Sequence, residues 1–252
     1  MYADKREKPY EDIIVGRNAV YETLKSGRPV DSVLIAKGNS GGPVSRIIAL
    51  CKEQEVTIKD VSPVKLDAMC GGLNHQGVAA IAAAHEYAQV EDILEAARQK
   101  GEAPFILIAD EITDPHNLGA IIRSAEGAGV HGIIIPKRNA AGLTAAVAKA
   151  SSGAIEYLPV ARVSNLVSTV EELKKLGIWI YGSDMDGEPY TKTDFSGPVA
   201  IVIGSEGSGI SRLIKQKCDH IVSIPMYGKI ASLNASVAAG ILMFQAAKNR
   251  KH

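Results

Sequence analysis

The chain has 252 residues and a mass of 26.6 kDa, which is enough for one large domain or two modest ones, each with its own core. Hydrophobic residues make up 46% of the chain and charged residues 22%, a balance that excludes a disordered protein. No stretch approaches the roughly 18 uninterrupted apolar residues of a membrane span. We therefore expect a soluble protein without a membrane partner.

The charges and cysteines bear on partners and location. The 28 basic and 28 acidic residues cancel, so the chain lacks the overall positive charge typical of nucleic-acid-binding domains, although a local basic face stays open. Residues 1–16 carry charges where a signal peptide needs apolar residues, so we do not expect export. The cysteines are scattered and odd in number, which argues against a disulfide framework or a zinc site and indicates a reducing, cytoplasmic location. They are Cys51, Cys70 and Cys218.

Residues 1–84 read as a small α/β unit, because predicted helices and strands alternate along them. The first helix, at 18–27, has Asn18 as its N-cap and ends at Gly27. The elements that follow are a strand at 31–38, a helix at 43–55, a strand at 56–61, a helix at 64–72 and a strand at 76–84.

Residues 85–103 are predicted to be a linker that contains one amphipathic helix. Its apolar positions, Val90, Ile93, Leu94 and Ala97, have helical spacing, and Gly101 closes it. The stretch is acidic, because five acids and two basic residues between 86 and 102 leave a net charge of minus three.

Residues 104–252 repeat the alternation on a larger scale. The apolar runs ILIA, IIIP and AIVIG are typical of parallel strands that are buried on both faces of a sheet. We therefore predict an α/β domain with a mostly parallel sheet and helices on both faces. Its strands are expected at 105–110, 132–136, 157–162, 178–184, 199–206 and 220–225, and its helices from about 117, at 143–153, 165–177 and 211–218, and from about 232 to 248.

The turn after the first strand of this domain is polar. Ligands bind outside the carboxyl ends of the strands in such sheets, so this turn is a candidate site. Asp114 or Asn117 could cap the following helix, and Arg123 lies a little under two turns beyond Asn117 on the same side. A plain capped helix with one solvated arginine remains an alternative for this turn.

A glycine-rich turn, GSEGSG at 204–209, follows the strand at 199–206. Glu206 stands where a pyrophosphate would pass, which disfavours dinucleotide binding, and no Gly-Lys-Ser/Thr follows for a nucleotide P-loop. Ser208 or Ser211 could cap the next helix. A polar or positively charged ligand, held by backbone groups that the glycines leave accessible, fits this turn better.

The third turn precedes the last helix and carries Ser232, Asn234 and Ser236. Three alternate polar residues exceed the needs of one cap, but a cap and a site remain equally open here. His116 is the one histidine near the three turns, and neither a metal-ligand cluster nor a Ser-His-Asp set accompanies it. The combination indicates metal-free chemistry on a substrate with a hydroxyl or phosphate group.

Three motifs carry a family resemblance: NLGAIIRSAE at 117–126, IVIGSEGSGI at 201–210 and SIPMYGKIASLNASVA at 223–238. They resemble motifs 1, 2 and 3 of the SpoU, or TrmH-type, RNA 2′-O-ribose methyltransferases of the SPOUT superfamily. The N-terminal unit, with GRNAV at 16–20 and NHQGVA at 74–79, resembles the ribosomal-protein-like RNA-binding domain of the 23S rRNA guanosine 2′-O-methyltransferases. The resemblance covers nearly the whole chain.

This resemblance implies S-adenosylmethionine as methyl donor, no metal, and a ribose 2′-hydroxyl as acceptor, most of all that of a guanosine in 23S rRNA. It also implies a trefoil knot in the C-terminal domain and a homodimer formed through that domain. The implied cofactor contacts are Gly204, Ile224, Met226, Gly228 and Leu233. The implied catalytic or substrate-facing residues are Asn117, Arg123, Glu206, Ser232 and Asn234.

Two other functions stay open: a tRNA methyltransferase, and a non-catalytic RNA-binding or ribosome-assembly factor. The presence of Arg123, Glu206 and Asn234 counts against the second, because a binding module does not need all three. The resemblance offers Arg123 as the base, but a guanidinium, with a pKa above about 12, resists deprotonation. We therefore assign Arg123 as a clamp on the target phosphate, and Glu206 or a water it orients as the proton acceptor.

Overall fold

The computed structural model describes residues 13–39, 41–83, 85–230 and 232–250. Residues 1–12, which carry most of the argument against export, lie outside the described residues. The chain forms two compact units: unit 1 comprises Met1–Glu86 and Leu143–Tyr157, and unit 2 comprises Tyr87–Gly142 and Leu158–His252. None of the helices in the described ranges is long and apolar enough to cross a membrane.

The helices and strands alternate as the hydrophobic patterns predict. The first elements are β1 (Ile13–Val15), α1 (Arg17–Lys25), β2 (Val30–Ala36), α2 (Pro43–Glu53), β3 (Thr57–Val61), α3 (Pro63–Met69), β4 (Val78–Ala82), α4 (Val90–Gln99), β5 (Phe105–Ala109) and α5 (Pro115–Gly127). The remaining ones are β6 (Gly132–Pro136), α6 (Ala145–Ala150), β7 (Val160–Val163), α7 (Leu166–Lys175), β8 (Trp179–Pro189), β9 (Val199–Ile203), α8 (Arg212–Lys217), β10 (His220–Ser223) and α9 (Ala235–Arg250).

Unit 1 contains a four-stranded mixed sheet in the order β1-β4-β2-β3. β4 runs antiparallel to both β1 and β2, while β3 is parallel to β2. Helices α1 and α2 pack on one face through Leu24, Ile47 and Cys51, and α3 packs on the other through Leu66. β1 is absent from the sequence prediction, because three residues are too few to show an alternating pattern.

Residues 143–157 pack with unit 1, although the chain reaches them from unit 2. Glu156 is buried there, and its Oε1 accepts hydrogen bonds from Arg28 Nη1 and Thr23 Oγ1, both at 2.9 Å. The sequence pattern predicts these residues as part of the C-terminal domain, because a polar anchor such as Glu156 leaves no periodic signal. The domain boundaries at 84 and 103 stay a prediction.

Unit 2 contains a six-stranded sheet in the order β10-β8-β9-β5-β6-β7, in which every adjacent pair is parallel. One face packs against α4, α7 and α8 through side chains that include Ile108, Val170 and Ile214. The alternate strand residues, such as Leu107 and Ile201, are equally buried, so the other face is covered as well. The predicted parallel α/β fold is thus confirmed, while the trefoil knot stays a prediction.

Helix α4, predicted as part of the linker, packs on β6 and β7 of unit 2. Its Ile93 is fully buried against Gly132, where a Cβ would lie 2.5 Å from the isoleucine side chain. Because Ile93 belongs to the core of the sheet, this helix is an element of unit 2 and not a solvated connection.

β8 is longer than predicted and contains an excursion. After Gly182 it leaves the ladder, and it rejoins β10 at Glu188, which pairs with Val222. A Cβ on Gly187 would lie 2.5 Å from the backbone of Val222, so only glycine allows this close return. The excursion carries residues 183–186 toward the carboxyl edge of the sheet.

His131 is a buried histidine in unit 2 whose hydrogen bonds define its tautomer. Its Nδ1 accepts from the Phe105 backbone amide at 3.0 Å, and its Nε2 lies 3.2 Å from Glu102 Oε2. The proton therefore sits on Nε2, and a second proton would displace the Phe105 bond. Burial, together with the charge of Lys100, lowers the pKa of His131 below its usual range.

We expect the free energy of unfolding of unit 2 to fall as the pH drops below about 6.5, the ordinary histidine pKa. In the unfolded chain His131 takes up a proton there, whereas the folded chain takes it up only at lower pH. The contribution of neutral His131 to the free energy of unfolding is therefore fully present above the unfolded-state pKa. It is lost as the pH falls from that pKa to the lower folded-state pKa, by about 1.4 kcal/mol for each pH unit between the two.

Denaturant unfolding at several pH values tests this, and Trp179, the single tryptophan, reports on unit 2. In His131→Asn, the asparagine amide oxygen can still accept a hydrogen bond from the Phe105 amide. The decrease in the free energy of unfolding at low pH should therefore be smaller in this variant than in the wild type. His116→Asn, which replaces an exposed histidine of the same unit, is the control, because His220 lies against the reporter Trp179. An unchanged pH profile in His131→Asn would contradict the assignment.

Candidate active site

The three predicted turns lie along the carboxyl edge of the sheet in unit 2. Adjacent parallel strands β5 and β9 bring the first two together, and α9 packs on α5 to add the third. The predicted turns are thus neighbours in space, although up to 117 positions separate their contacting residues in the chain.

The first turn orients Asn117 by capping α5 with another residue. Asp114 is the N-cap, and its side chain accepts a hydrogen bond from the His116 amide at 2.9 Å. Pro115 occupies the first turn, where a missing N–H costs nothing. Of the two capping candidates, Asp114 therefore caps, and the Asn117 amide is left for the site.

The glycine-rich turn after β9 folds back tightly on itself. The Ser205 and Gly209 backbones exchange hydrogen bonds of 3.1 and 2.9 Å. A Cβ on Gly204 would lie 2.0 Å from the Gly209 carbonyl carbon, so this position requires glycine. Ser211 is the N-cap residue of α8, but its side chain makes no capping bond; its amide donates to the buried Asp110 carboxylate at 2.8 Å.

Asn234 serves both as a cap and as a site residue. Its Oδ1 accepts from the Ser236 and Val237 amides at 3.0 and 3.3 Å, which caps the start of α9. Its Nδ2 faces the other way, toward Asn117 and Glu206. The acceptor end of this amide thus caps α9, while its donor end faces the two other predicted site residues; the role of Asn234 in a site stays a prediction.

Asn117, Glu206 and Asn234 form a closed hydrogen-bonded cluster, which we call the amide–carboxylate triad. Asn117 Nδ2 donates to Glu206 Oε1 at 2.8 Å, and Asn234 Nδ2 donates to the same oxygen at 2.5 Å. Asn234 Nδ2 also donates to Asn117 Oδ1 at 2.8 Å. Both amides thus aim their donors at one carboxylate oxygen, and within the described residues Glu206 Oε2 makes no hydrogen bond.

A cavity of about 340 Å³ lies beside the triad, within the usual range for small-molecule sites. Four of the five predicted cofactor residues line it: Gly204, Ile224, Met226 and Leu233. Gly228 is exposed and is not among the lining residues. Glu206 and Ser232 also line the cavity, so it adjoins the predicted catalytic residues.

Arg123 lies on the exposed side of α5, outside the cavity lining. The structure therefore brings Asn117, Glu206 and Asn234 into contact and places Ser232 in the cavity wall, while Arg123 stands further along α5. The roles of these residues stay a prediction.

Asp184 is a cavity residue that the sequence analysis missed, together with its neighbours Ser183 and Met185. Lys215 Nζ lies 2.8 Å from Asp184 Oδ2. Burial opposes ionisation of this carboxyl, but the bonds from Lys215 and nearby backbone amides outweigh it and hold its pKa below the usual range. A short polar stretch after a strand was the one available signal, and it did not reveal that β8 bends toward the cavity.

The charges of the lining restrict the ligand. Among the described residues that line the cavity, the charged ones are Asp184 and Glu206, both acids. Asp184 is paired with Lys215, so among the described residues of the lining Glu206 is the acid whose charge no cation offsets, and its charge disfavours phosphate groups and favours a ligand that carries positive charge. The described residues also contain no cluster of three or more histidine, cysteine or acidic side chains that could hold a metal ion.

Comparisons with known proteins identify relatives over the whole chain. A profile of the SpoU rRNA methylase family matches residues 104–244, and a profile of RNA 2′-O ribose methyltransferase substrate binding matches residues 13–88. The chain is 52% identical over 240 residues to YacO of Bacillus subtilis (strain 168), named for the TrmH family of tRNA/rRNA methyltransferases; the match covers 95% of this chain and 96% of YacO.

A Staphylococcus aureus (strain MSSA476) protein named for the same TrmH family is 44% identical over 241 residues, which cover 95% of this chain and 97% of that protein. Among solved structures, the chain is similar to the SpoU methyltransferase AviRb from Streptomyces viridochromogenes, which was determined in complex with AdoMet. The TM-score is 0.75 at 26% identity, with coverage of 94% of this chain and 89% of AviRb.

Proposed function

We propose, from the premise that this chain belongs to the SpoU rRNA methylase family, that it transfers a methyl group from S-adenosylmethionine to RNA. We further propose that the acceptor is the ribose 2′-hydroxyl of a guanosine in 23S rRNA. The observation that carries the proposal is the amide–carboxylate triad beside a cavity whose charged lining is acidic.

The cavity fits this cofactor in shape and charge. S-adenosylmethionine carries a sulfonium, an ammonium and a carboxylate group, which give it a net charge of about plus one, and it has no phosphate, which suits a lining that contains Glu206. Ile224 and Leu233 line the cavity and supply apolar surface for an adenine ring. When bound, the cofactor supplies an electrophilic methyl group.

The triad positions Glu206 as the proton acceptor. Because both asparagine amides bind Oε1, the carboxylate cannot rotate freely, and Oε2 is available to a hydroxyl. A ribose hydroxyl is a poor nucleophile at neutral pH, so removal of its proton by Oε2 activates it. Arg123 stays charged at neutral pH and acts as a bidentate clamp on the adjacent phosphate.

Mapping of the methyl group tests the proposed acceptor. A 2′-O-methyl group blocks alkaline cleavage of its own linkage, because the 2′-oxygen is the nucleophile in that cleavage. The enzyme is incubated with labelled S-adenosylmethionine and unmodified transcripts of 23S rRNA and tRNA. We expect one alkali-resistant linkage, after a guanosine of the 23S rRNA. A methyl group on a base would overturn the ribose assignment, and labelling of tRNA alone would overturn the rRNA assignment.

We also propose that the protein is a homodimer formed through α9. Val237 and Phe244 on this helix are 49% and 54% exposed, and seven residues, about two turns, separate them on one face. Exposed apolar side chains that form a stripe are typical of an interface. A second copy of the chain is the occupant that the family resemblance implies.

Phe244→Asp is expected to shift the mass in solution from twice the 26.6 kDa of one chain to that of a monomer, because it places a charge in the interface. Light scattering coupled to size exclusion measures this. Leu213→Asp is the control: it changes another exposed apolar side chain, which is 62% exposed on α8, and it should leave the dimer intact. A dimer that survives Phe244→Asp would rule out this interface.

We propose a cytoplasmic location, where ribosomal RNA is available. The three free cysteines support it, because unpaired thiols are typical of proteins in a reducing compartment.

A further inference from the structure

The strand order of unit 2 places different residues at the two ends of the carboxyl edge of its sheet. The cavity is lined by residues on β8, β9 and β10 or after them, and by the start of α9. Asn117, after β5, is the next contribution along the edge. Beyond β5 lie β6 and β7, which contribute nothing to the cavity lining. The cofactor end and the far end of the edge therefore lie on opposite sides of the triad.

The far end is basic. Lys137 and Arg138 directly follow β6 and are exposed, and Arg162 is exposed on β7. We call these three residues the basic end. The loop that carries Lys137 and Arg138 is joined to the turn before α5, because the Ala141 amide donates to the Ile112 carbonyl at 2.8 Å.

Arg162 is held in place by its neighbours. Its Nη2 donates to the Lys137 carbonyl at 3.0 Å, and its guanidinium lies 5.1 Å from the centre of the Tyr87 ring. These contacts orient one edge of the guanidinium and leave the other edge for a ligand.

Within the described residues, none of the three cations of the basic end takes part in an ion pair. By contrast, Lys174, Lys215 and Lys217 elsewhere in unit 2 are all paired with carboxylates. The basic end is therefore available to an anionic partner.

We infer that the basic end binds backbone phosphates of the RNA next to the methylated nucleotide, so that the strand runs from the triad toward β7. This inference rests on the proposed function for the identity of the partner. The acidic cavity repels phosphates at one side of the triad and the basic end attracts them at the other, which determines the direction in which the RNA lies.

Salt-dependent binding tests the inference on the full chain, with unmodified 23S rRNA transcript as the probe. The logarithm of affinity falls with the logarithm of salt by about 0.7 for each phosphate contacted on a single strand. The double variant Lys137→Ala, Arg138→Ala should lose about 1.4 from that slope. Its affinity for S-adenosylmethionine should match that of wild type, because neither residue lines the cavity.

Lys175→Ala, Lys192→Ala is the matched control, since it removes two exposed cations of unit 2 away from this edge. A slope that falls equally in both double variants, or in neither, would overturn the inference. If the wild-type protein methylates a ribose but the Lys137/Arg138 double variant keeps the wild-type salt dependence of RNA binding, the inference fails and the proposed function stands. If wild type binds no RNA, the proposed function fails with it.

Cross-linking tests the direction. Arg138→Cys and Lys192→Cys are each labelled with a thiol-reactive photo-cross-linker, which places the probe at the basic end and away from this edge, respectively. The native thiols of Cys51 and Cys70 are buried and that of Cys218 is half-buried, so the unsubstituted chain is labelled in parallel as the background. Cross-links from position 138 should cluster within a few nucleotides of the methyl acceptor, and those from position 192 should not. Equal distributions would overturn the proposed path.

Discussion

Glu206→Gln is expected to lower the rate of methyl transfer by about 10² to 10⁴-fold, the usual contribution of a positioned general base. A glutamine oxygen can still accept the two asparagine amides that now bind Glu206 Oε1, so the triad should keep its geometry. What disappears is the negative charge and the ability to take a proton. The variant therefore separates the chemical role of Glu206 from its structural one.

Single-turnover kinetics with saturating cofactor and RNA measure this effect, and calorimetric titration with S-adenosylmethionine shows whether binding survives. Glu91→Gln, which neutralises an exposed carboxylate in the first turn of α4, should keep the wild-type rate. Wild-type turnover in Glu206→Gln would refute Glu206 as the proton acceptor.

Gly204→Ala is expected to weaken cofactor binding by about 10-fold or more, equivalent to about 1.4 kcal/mol. The added Cβ would lie 2.0 Å from the Gly209 carbonyl carbon and 2.2 Å from the Ile210 nitrogen. Both are backbone atoms, so no side-chain rotation relieves the clash, and the turn that forms one wall of the cavity must move. Unit 2 should also lose stability, by about 3 kcal/mol, at the upper end of overpacking effects.

Gly207→Ala is the control for this variant, because no atom lies within 4 Å of a Cβ built at Gly207 in the same turn. Calorimetric titration and Trp179-monitored unfolding should give values near wild type for Gly207→Ala and reduced values for Gly204→Ala. Equal behaviour of the two variants would show that the close return of the turn is unimportant for the cavity.

The elements of both units follow from local patterns, since apolar runs and polar turns record how each segment is buried. The parallel strands β5, β6 and β9, and the three turns at their carboxyl edge, are predicted in this way. Where the pattern is short or absent, prediction fails. β1 is too short to alternate, and the excursion of β8 depends on one glycine that lets two backbones approach.

The candidate site likewise combines features that the sequence predicts with features that only the tertiary structure determines. Residue type and position after a strand are enough to select Asn117, Glu206 and Asn234 as candidates, but not to decide that Asp114 caps α5 and leaves Asn117 free. Asp184 enters the cavity only because β8 bends, and the basic end stands opposite the cofactor cavity only because β6 and β7 lie beyond β5. Local sequence governs what each segment buries; strand order and long-range hydrogen bonds, which join residues about 100 positions apart, govern which segments meet.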